Sequence, residues 1–447
     1  MSTSMSAEEQ LEILSRQVEE IIPESGLLER LTRSLHERRP LRVKQGFDPT
    51  APDIHLGHTV GLRKLRAFQD LGHQVVLIVG DYTGMVGDPS GRSKTRPQLG
   101  QEELERNAET YLEQFFRVLD RAPAPPRLPV EIHRNGEWFA RMAFSDVLRL
   151  LSQYTVSQML ERDDFSRRFE GEQPIGVHEL LYPLMQGQDS VEIRADVEIG
   201  ATEQKFNLLV GRELQRLAGQ LPQVVMTLPV LPGLDGVQRM SKSLGNYIGV
   251  SDAAGEMFGK VMSIPDALMP AYWSLVADRS AKESREVEAD LGLPAGELDR
   301  RGLGWPGGDG PVPHSTGPRR GAEPRVNPML VKKRLGERIV AMYHGAEAAA
   351  RARGDFEAQF SRGEAPGHLE EFTGERLRSL SKGPFSIIDF AVASGVPASR
   401  SAARRLVEQG AVDLDGEPVR ALDLKVDPDR EHLLRMGRKM MRYRPGN

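Results

Sequence analysis

Apolar positions fall along the chain in two rhythms, and the way these alternate predicts a layered α/β fold. Val75-Val76-Leu77-Ile78-Val79 is a continuous aliphatic run, the pattern of a strand covered on both faces, and Val224-Val225-Met226-Thr227-Leu228 is a second buried strand. Shorter strands are expected at Leu41-Arg42-Val43 and at Asp196 to Ile199. His55 to Leu71 has helical spacing, and strand, helix and strand in one short unit indicate a parallel sheet of the nucleotide-binding type. Phe206, Leu208, Leu209 and Leu214 mark a further helix. The stretch from about 101 to 192 is mainly helical in pattern and reads as an insertion joining two halves of the sheet. Near the N-terminus, Leu11, Leu14, Val18, Ile21 and Ile22 recur at helical spacing until Pro23 interrupts.

Beyond Val250 the texture changes. Glu256 to Ala277 is helical, but Gly292 to Pro328 is crowded with Gly and Pro and cannot sustain a regular packed element. A helical piece, Met329 to Arg353, then precedes a compact module starting near Pro384. That module reads as a helix over Phe385 to Ala393, a serine-capped second helix over Ala398 to Val407, and a strand and turn over Gly410 to Gly416. Arg400, Arg404 and Arg405 cluster on or beside one helical face, and Arg435, Arg438, Lys439, Arg442 and Arg444 make a basic end. The expected partition is therefore 1–250, a Rossmann-like parallel-sheet α/β domain with its helical insertion; 251–380, a helical domain; and 384–447, a small α+β domain.

Composition narrows the chemistry. The 447 residues suffice for two or three domains with a large core. With no cysteine, disulfides, thiolate nucleophiles and cysteine-ligated zinc are excluded. The formal net charge of -5 averages over the chain and leaves room for a local basic face. Met1 to Gln10 lacks the basic segment and apolar block of a signal peptide, and no apolar stretch approaches bilayer length, so a cytoplasmic protein without a membrane partner is expected.

Two short motifs carry candidate chemistry. His55-Leu56-Gly57-His58 opens a helix behind the turn Gly46-Phe47-Asp48-Pro49-Thr50-Ala51-Pro52. A helix N-terminus offers unpaired amides and positive partial charge, and His55 and His58, at i and i+3, can donate to a polyphosphate. Gly57 leaves room for a nucleotide to approach the backbone. Taken alone, His-x-x-His favours two surface histidines on a helix, and a metal site needs further ligands that do not stand out by spacing. Arg239-Met240-Ser241-Lys242-Ser243 follows a buried strand and has no apolar periodicity to pin it, which suits a mobile loop. Lys242 on such a loop can neutralise charge developing on a leaving pyrophosphate. Tyr182, Gln186 and Asp189, at i, i+4 and i+7 among Leu180, Leu181, Leu184 and Met185, put three polar groups on one wall of an apolar pocket.

In this order the two motifs match the ATP-handling signatures of class I aminoacyl-tRNA synthetases. Thr83-Gly84-Met85-Val86-Gly87-Asp88-Pro89-Ser90-Gly91-Arg92 and Tyr182-Pro183-Leu184-Met185-Gln186-Gly187-Gln188-Asp189 go further: the chain resembles the bacterial tyrosyl-tRNA synthetase family over nearly its whole length, least between about 281 and 328. The resemblance implies a tyrosine–tRNA ligase that activates L-tyrosine with ATP and passes it to tRNA(Tyr), with Mg2+ accompanying the nucleotide and no tightly bound cofactor or resident metal. It implies that Asp189 accepts the substrate phenol while Tyr182, Gln186 and Asp88 hold the α-ammonium, with Gln204 nearby. His55, His58, Arg92, Arg96 and Lys242 become the charge-stabilising group, and Asp48, Gly57, Glu203, Arg239 and Lys242 the ATP-binding set. The Met159-Leu160-Glu161-Arg162-Asp163-Asp164-Phe165 segment resembles the region through which the family forms homodimers. The C-terminal module resembles a small RNA-binding domain shared with a ribosomal protein and pseudouridine synthases, with Arg400, Arg404 and Arg405 facing RNA phosphates.

Some positions depart from the family's pattern. Ala201 and Glu203 stand where Gly and Asp are usual, Lys44 and Gln45 where many members carry Tyr and Cys, and Arg239 where a lysine is usual. Two alternatives stay open on sequence: a tryptophan-specific class I sister enzyme, and a catalytically silent paralogue that binds RNA.

Overall fold

The computed structural model describes residues 5–50, 52–90, 100–242, 244–299, 323–361, 370–380, 383–397, 399–437 and 439–445. Arg92, Arg96, Ser243, Arg438 and most of the Gly/Pro-rich segment lie outside the described residues. The chain forms two compact units, Met1–Ala349 and Ala350–Asn447.

In the first unit the aliphatic runs become the centre of a six-stranded sheet. Its strands are β1 (Glu20–Ile22), β2 (Arg42–Phe47), β3 (Gln74–Val79), β4 (Glu131–Arg134), β5 (Val197–Ala201) and β6 (Val224–Leu228), in the order β1-β6-β5-β2-β3-β4. All neighbours are parallel except β1, which pairs antiparallel with β6. Successive strands run outward from β2 through β3 to β4, and from β5 to β6 on the other side. The order therefore reverses between β2 and β5, where Val43 pairs with Val197 and Lys44 with Glu198. In an open parallel sheet the crevice at the carboxyl end of such a reversal is the natural ligand site.

Three expectations change. Ile21 and Ile22 sit in edge strand β1 and not in a helix, because the first helix stops at Leu14 and Gln17 adopts a left-handed φ of 52° that turns the chain onto β6. The 101–192 insertion is not helical throughout: it supplies β4 to the main sheet, pairing Ile132 with Leu77. Nor does a compact boundary fall at 250. Tyr272 Oη donates to the Pro232 carbonyl at 2.9 Å, Lys332 Nζ to that of Ile264 at 2.6 Å, and the buried Glu288 accepts the backbone N–H groups of Gly296 and Leu298. The Tyr272 bond crosses position 250, the others tie the later segments together, and the helices Ala254–Ser263, Met269–Leu275, Ala281–Leu291 and Pro328–His344 belong to the first unit, with buried polar bonds that hydropathy does not reveal.

The second unit holds a five-stranded sheet of β7 (Glu370–Thr373), β8 (Val412–Leu414), β9 (Glu417–Pro418), β10 (His432–Met436) and β11 (Lys439–Arg444), ordered β7-β11-β10-β8-β9. Helices Ile387–Ser394 and Arg400–Glu408 pack on it through Phe390 and Ala403, and the Phe390 and Tyr443 rings meet edge to face at 4.7 Å. β7 pairs in parallel with β11, so the module's sheet takes in residues from 370 onward, ahead of the expected start near 384.

Candidate active site

The crevice at the strand reversal holds a cavity of about 480 Å³ lined by His55, Gly57, His58, Asp88, Glu203, Gln204, Arg239 and Lys242, so both signature motifs face one space. The Leu56–Asp70 helix begins there because the His55 backbone N–H donates to His58 Nδ1 at 3.2 Å, closing a cap across its first turn. That bond fixes the His58 tautomer: Nδ1 accepts, so the proton sits on Nε2. Burial, and then the nearby Lys242 charge, bring the His58 pKa down to about 4; burial first, then His58, Lys242 and Arg239, lower that of His55 well below the usual imidazole range. Both rings are neutral donors at pH 7. His55 Nδ1 and Gln45 Oε1 are buried beside this cavity without a hydrogen-bond partner among the described residues. A Cβ on Gly57 would sit 3.0 Å from the His55 ring, so this glycine keeps that imidazole in place.

The Arg239–Lys242 segment is pinned, contrary to the expectation from its polarity. Met240 N–H donates to the Leu231 carbonyl at 3.0 Å; Asn246 Oδ1 accepts the Ser241 N–H at 2.8 Å, and Asn246 Nδ2 reaches the Asp235 carboxylate at 2.6 Å and the Arg239 carbonyl at 3.0 Å. Hydrogen bonds thus hold the segment together with the buried Met240 side chain. Lys242 Nζ donates to the Asp53 carbonyl, and partial desolvation lowers its pKa to about 8. Arg239 Nη1 lies 2.5 Å from Glu203 Oε2, so two residues that depart from the family's pattern neutralise each other across the cavity.

Gly46, Phe47 and Gln204 line this cavity and also a slot of about 20 Å³, room for roughly one water, that ends among Asp48, Thr83, Tyr182, Gln186 and Asp189. The Tyr182–Glu192 helix aims Tyr182, Gln186 and Asp189 at it, all of them buried. Tyr182 Oη donates to Asp48 Oδ2 at 2.8 Å and Thr83 Oγ1 to Asp48 Oδ1 at 2.7 Å. Asp189 accepts from Trp138 Nε1 at 3.0 Å and from Asn135 Nδ2 at 3.4 Å, yet burial pushes its pKa up to about 7. Gln204 Nε2 donates to Asp88 Oδ2 at 3.2 Å.

Lys44 lies under this slot, fully buried, and all three of its protons are used: Gln186 carbonyl at 2.8 Å, Ser190 Oγ at 2.7 Å, Glu198 Oε1 at 2.9 Å. It has no donor left for a substrate and serves instead to bolt β2 to the Tyr182–Glu192 helix. Glu198 Oε1 also accepts from Gln186 Nε2 at 3.0 Å, and Gln186 Oε1 accepts from Asn207 Nδ2 at 3.0 Å, so the Gln186 amide is held from both ends. Asn135, Trp138, Glu198, Asn207 and Asn246 escaped the sequence reading. Asn135 and Trp138 are 54 and 51 positions from Asp189, and no local spacing announces a pairing of that range.

In the second unit Arg404 and Arg405 are exposed, but Arg400 Nη1 is bonded to Asp389 Oδ1 at 2.7 Å, within the cap of the preceding helix. Arg435 pairs with Asp413 and Arg444 with Glu371, so much of the expected basic end is internally balanced. Among the described residues no group of His, Asp and Glu has the arrangement of a metal site.

Comparison with known proteins bears on the family and the fold. Residues 36–296 match the family model of class I tRNA synthetases (W and Y), and residues 388–431 match that of the S4 domain. The chain is 47% identical to the tyrosine–tRNA ligase of Moorella thermoacetica over 96% of its own length and 94% of that protein's. It is 46% identical to that of Syntrophotalea carbinolica over 97% of each. Among solved structures, the C-terminally truncated mitochondrial tyrosyl-tRNA synthetase of Aspergillus nidulans superposes with a TM-score of 0.60 at 18% identity, covering 80% of this chain and 95% of that one. The Archaeoglobus fulgidus tyrosyl-tRNA synthetase, complexed with L-tyrosine, gives 0.54 at 22%, covering 78% and 100%. At these identities the two structures speak to the fold alone.

Proposed function

The chain belongs to the tyrosyl-tRNA synthetases of class I, ATP-dependent tyrosine–tRNA ligases, and on that premise we propose how its residues divide the work. The observation that carries the reading is the continuity of the two chambers: the cavity of the histidines and Lys242 shares Gly46, Phe47 and Gln204 with the slot that ends at Asp189. ATP, carrying Mg2+ as part of the substrate, occupies the larger chamber, and tyrosine the slot, which widens to admit it.

Tyrosine's carboxylate is ionised at neutral pH, so no general base is required. It attacks the α-phosphorus, the bond to the β-phosphate oxygen breaks, and pyrophosphate leaves. His55 and His58 donate neutral N–H groups and Lys242 a positive charge to the phosphoryl oxygens, and alignment with charge stabilisation supplies the catalysis. Arg239, Asp48 and Glu203 border the nucleotide, and Arg92 and Arg96 join the charge-stabilising group. A hydroxyl of the terminal ribose of tRNA(Tyr) then attacks the adenylate carbonyl and AMP leaves. Asp189, oriented by Trp138 and Asn135, accepts a hydrogen bond from the phenol; a phenylalanine would leave this buried carboxyl without that donor, the basis of the roughly 10⁵-fold rejection general to tyrosine-activating enzymes. Asp88, Gln186 and Tyr182 meet the ammonium, with Gln204 holding Asp88. Arg404 and Arg405 bind RNA phosphates.

The working form is a homodimer. Phe144, Leu148, Leu151, Val156, Phe169 and Val177, all of the insertion, are each exposed, apolar surface suited to a second copy of the chain. No helix among the described residues is long and apolar enough to cross a membrane, and the substrates assign the enzyme to the cytoplasm. Pyrophosphate exchange with tyrosine, tryptophan and phenylalanine tests the reading: exchange with tyrosine alone is expected, and exchange with tryptophan, or none at all, would refute it.

A further inference from the structure

We infer that Arg162, carried by the insertion, is the positioning residue of the subsite for the substrate's α-ammonium group, an inference that rests on Asp88 and Gln186 forming that subsite. Arg162 is 4% exposed and makes one directed contact with each nitrogen of its guanidinium: Nε lies 2.7 Å from Asp164 Oδ1, Nη1 donates to Asn207 Oδ1 at 3.0 Å, and Nη2 donates to Ser90 Oγ at 2.7 Å. Two of these contacts lead to the subsite. Ser90 donates its N–H to Asp88 Oδ1 at 2.9 Å, fixing that carboxylate's rotation, and Asn207 passes the restraint to Gln186 Oε1. One planar fork therefore sets both the carboxylate and the amide against which an ammonium must fit, a task that a single-point lysine ammonium performs less well.

A guanidinium with its charge unmatched would repel an ammonium in this subsite, and the distances show where that charge is matched. Arg162 Nη2 is 3.9 Å from Asp88 Oδ1, whereas its Nε lies 2.7 Å from Asp164, which is buried and hydrogen-bonded to it. Attraction scales inversely with distance, and the closer, more enclosed pair is the less screened. Asp164 therefore takes up more of the Arg162 charge than Asp88 does. The Phe165 ring, 5.1 Å from the guanidinium carbon, completes the enclosure.

The test compares dissociation constants of the full-length protein for tyrosine and for 3-(4-hydroxyphenyl)propanoate, which lacks only the ammonium, by titration calorimetry. Asp88→Asn serves as the reference for loss of ammonium recognition. Arg162→Gln is expected to cut the preference for tyrosine over the analogue by 10-fold or more while the analogue's own affinity stays within about twofold, with Arg162→Lys recovering part of it. Ser90→Ala, a small change that leaves the buried arginine paired with Asp164, should cut the preference several-fold and keeps the test open if Arg162→Gln fails to fold. Equal weakening of both ligands in the Arg162 and Ser90 variants, or no change in either, overturns the inference. If Asp88→Asn alone abolishes the preference, the subsite reading survives without Arg162; if Asp88→Asn keeps it, the subsite reading falls and this inference with it.

Discussion

Trp138 Nε1 donates to Asp189 Oδ1 at 3.0 Å, so an indole from the insertion orients the carboxylate that ends the substrate slot. Replacing it with phenylalanine keeps the bulk and removes the donor. Trp138→Phe should weaken tyrosine binding by about 10-fold, in line with a hydrogen bond to a charged group, and should reduce discrimination against phenylalanine. Equilibrium binding of the two amino acids, with exchange kinetics for each, measures both.

Burial raises the Asp189 pKa to about 7, and the phenol is best met by the ionised form. Affinity for tyrosine should therefore climb about 10-fold per pH unit as pH rises toward 7 and level off above it. The stability effect has the opposite sign: a folded-state pKa above the unfolded value means the folded protein holds the extra proton, so this group's stabilising contribution is present below about pH 4 and is lost as pH rises through 7. Titration of Asp189→Asn should give a flat, weak binding profile.

Lys242, with its pKa lowered to about 8, loses its proton in the free enzyme above that pH. The kcat/KM for ATP in pyrophosphate exchange should decline above pH 8 by up to about 10-fold per unit, and Lys242→Arg, charged throughout, should lose that alkaline limb while turning over more slowly. An unaltered limb in this variant would disconnect it from Lys242.

Lys44 and Glu198 are 0% and 1% exposed, and removing one strands the other. Lys44→Met should cost about 3–5 kcal/mol by chemical denaturation, and the double variant Lys44→Met, Glu198→Met should recover most of it. A double variant no more stable than the single would show that Glu198 finds other compensation.

In the second unit, Arg404→Glu with Arg405→Glu should weaken tRNA binding and flatten its salt dependence by about 0.7–0.9 for each phosphate no longer neutralised. Tyrosine-dependent pyrophosphate exchange should be untouched. Arg400→Glu should cost stability as well as affinity, because Arg400 is bonded to the cap carboxylate of Asp389.

The layers of the fold were legible because β3 and β6 are aliphatic runs and the Leu56–Asp70 helix has a clear apolar face. His55, His58 and Lys242 were legible because their chemistry is local: two rings on one helical turn, one ammonium on one loop. What stayed hidden was built from polar groups buried together across long separations. Hydropathy reads Lys44, Glu198 and Arg162 as surface residues, and only the fold reveals that their partners are β strands and helices away. The expectation of an unpinned Arg239–Lys242 loop failed for the same reason, since the Asn246 amide anchors it alongside the single buried side chain of Met240. β1 and β4 were missed because short edge strands leave little periodicity.

That anchor shapes how the loop can move. The Asn246 amide is a rigid plane whose oxygen holds Ser241 and whose nitrogen holds Asp235 and Arg239. Rotating it releases all three together, so the lysine's arm should advance and retreat as a single latch, in two positions without a graded series between them. Deuterium uptake at the Ser241 amide would record each opening.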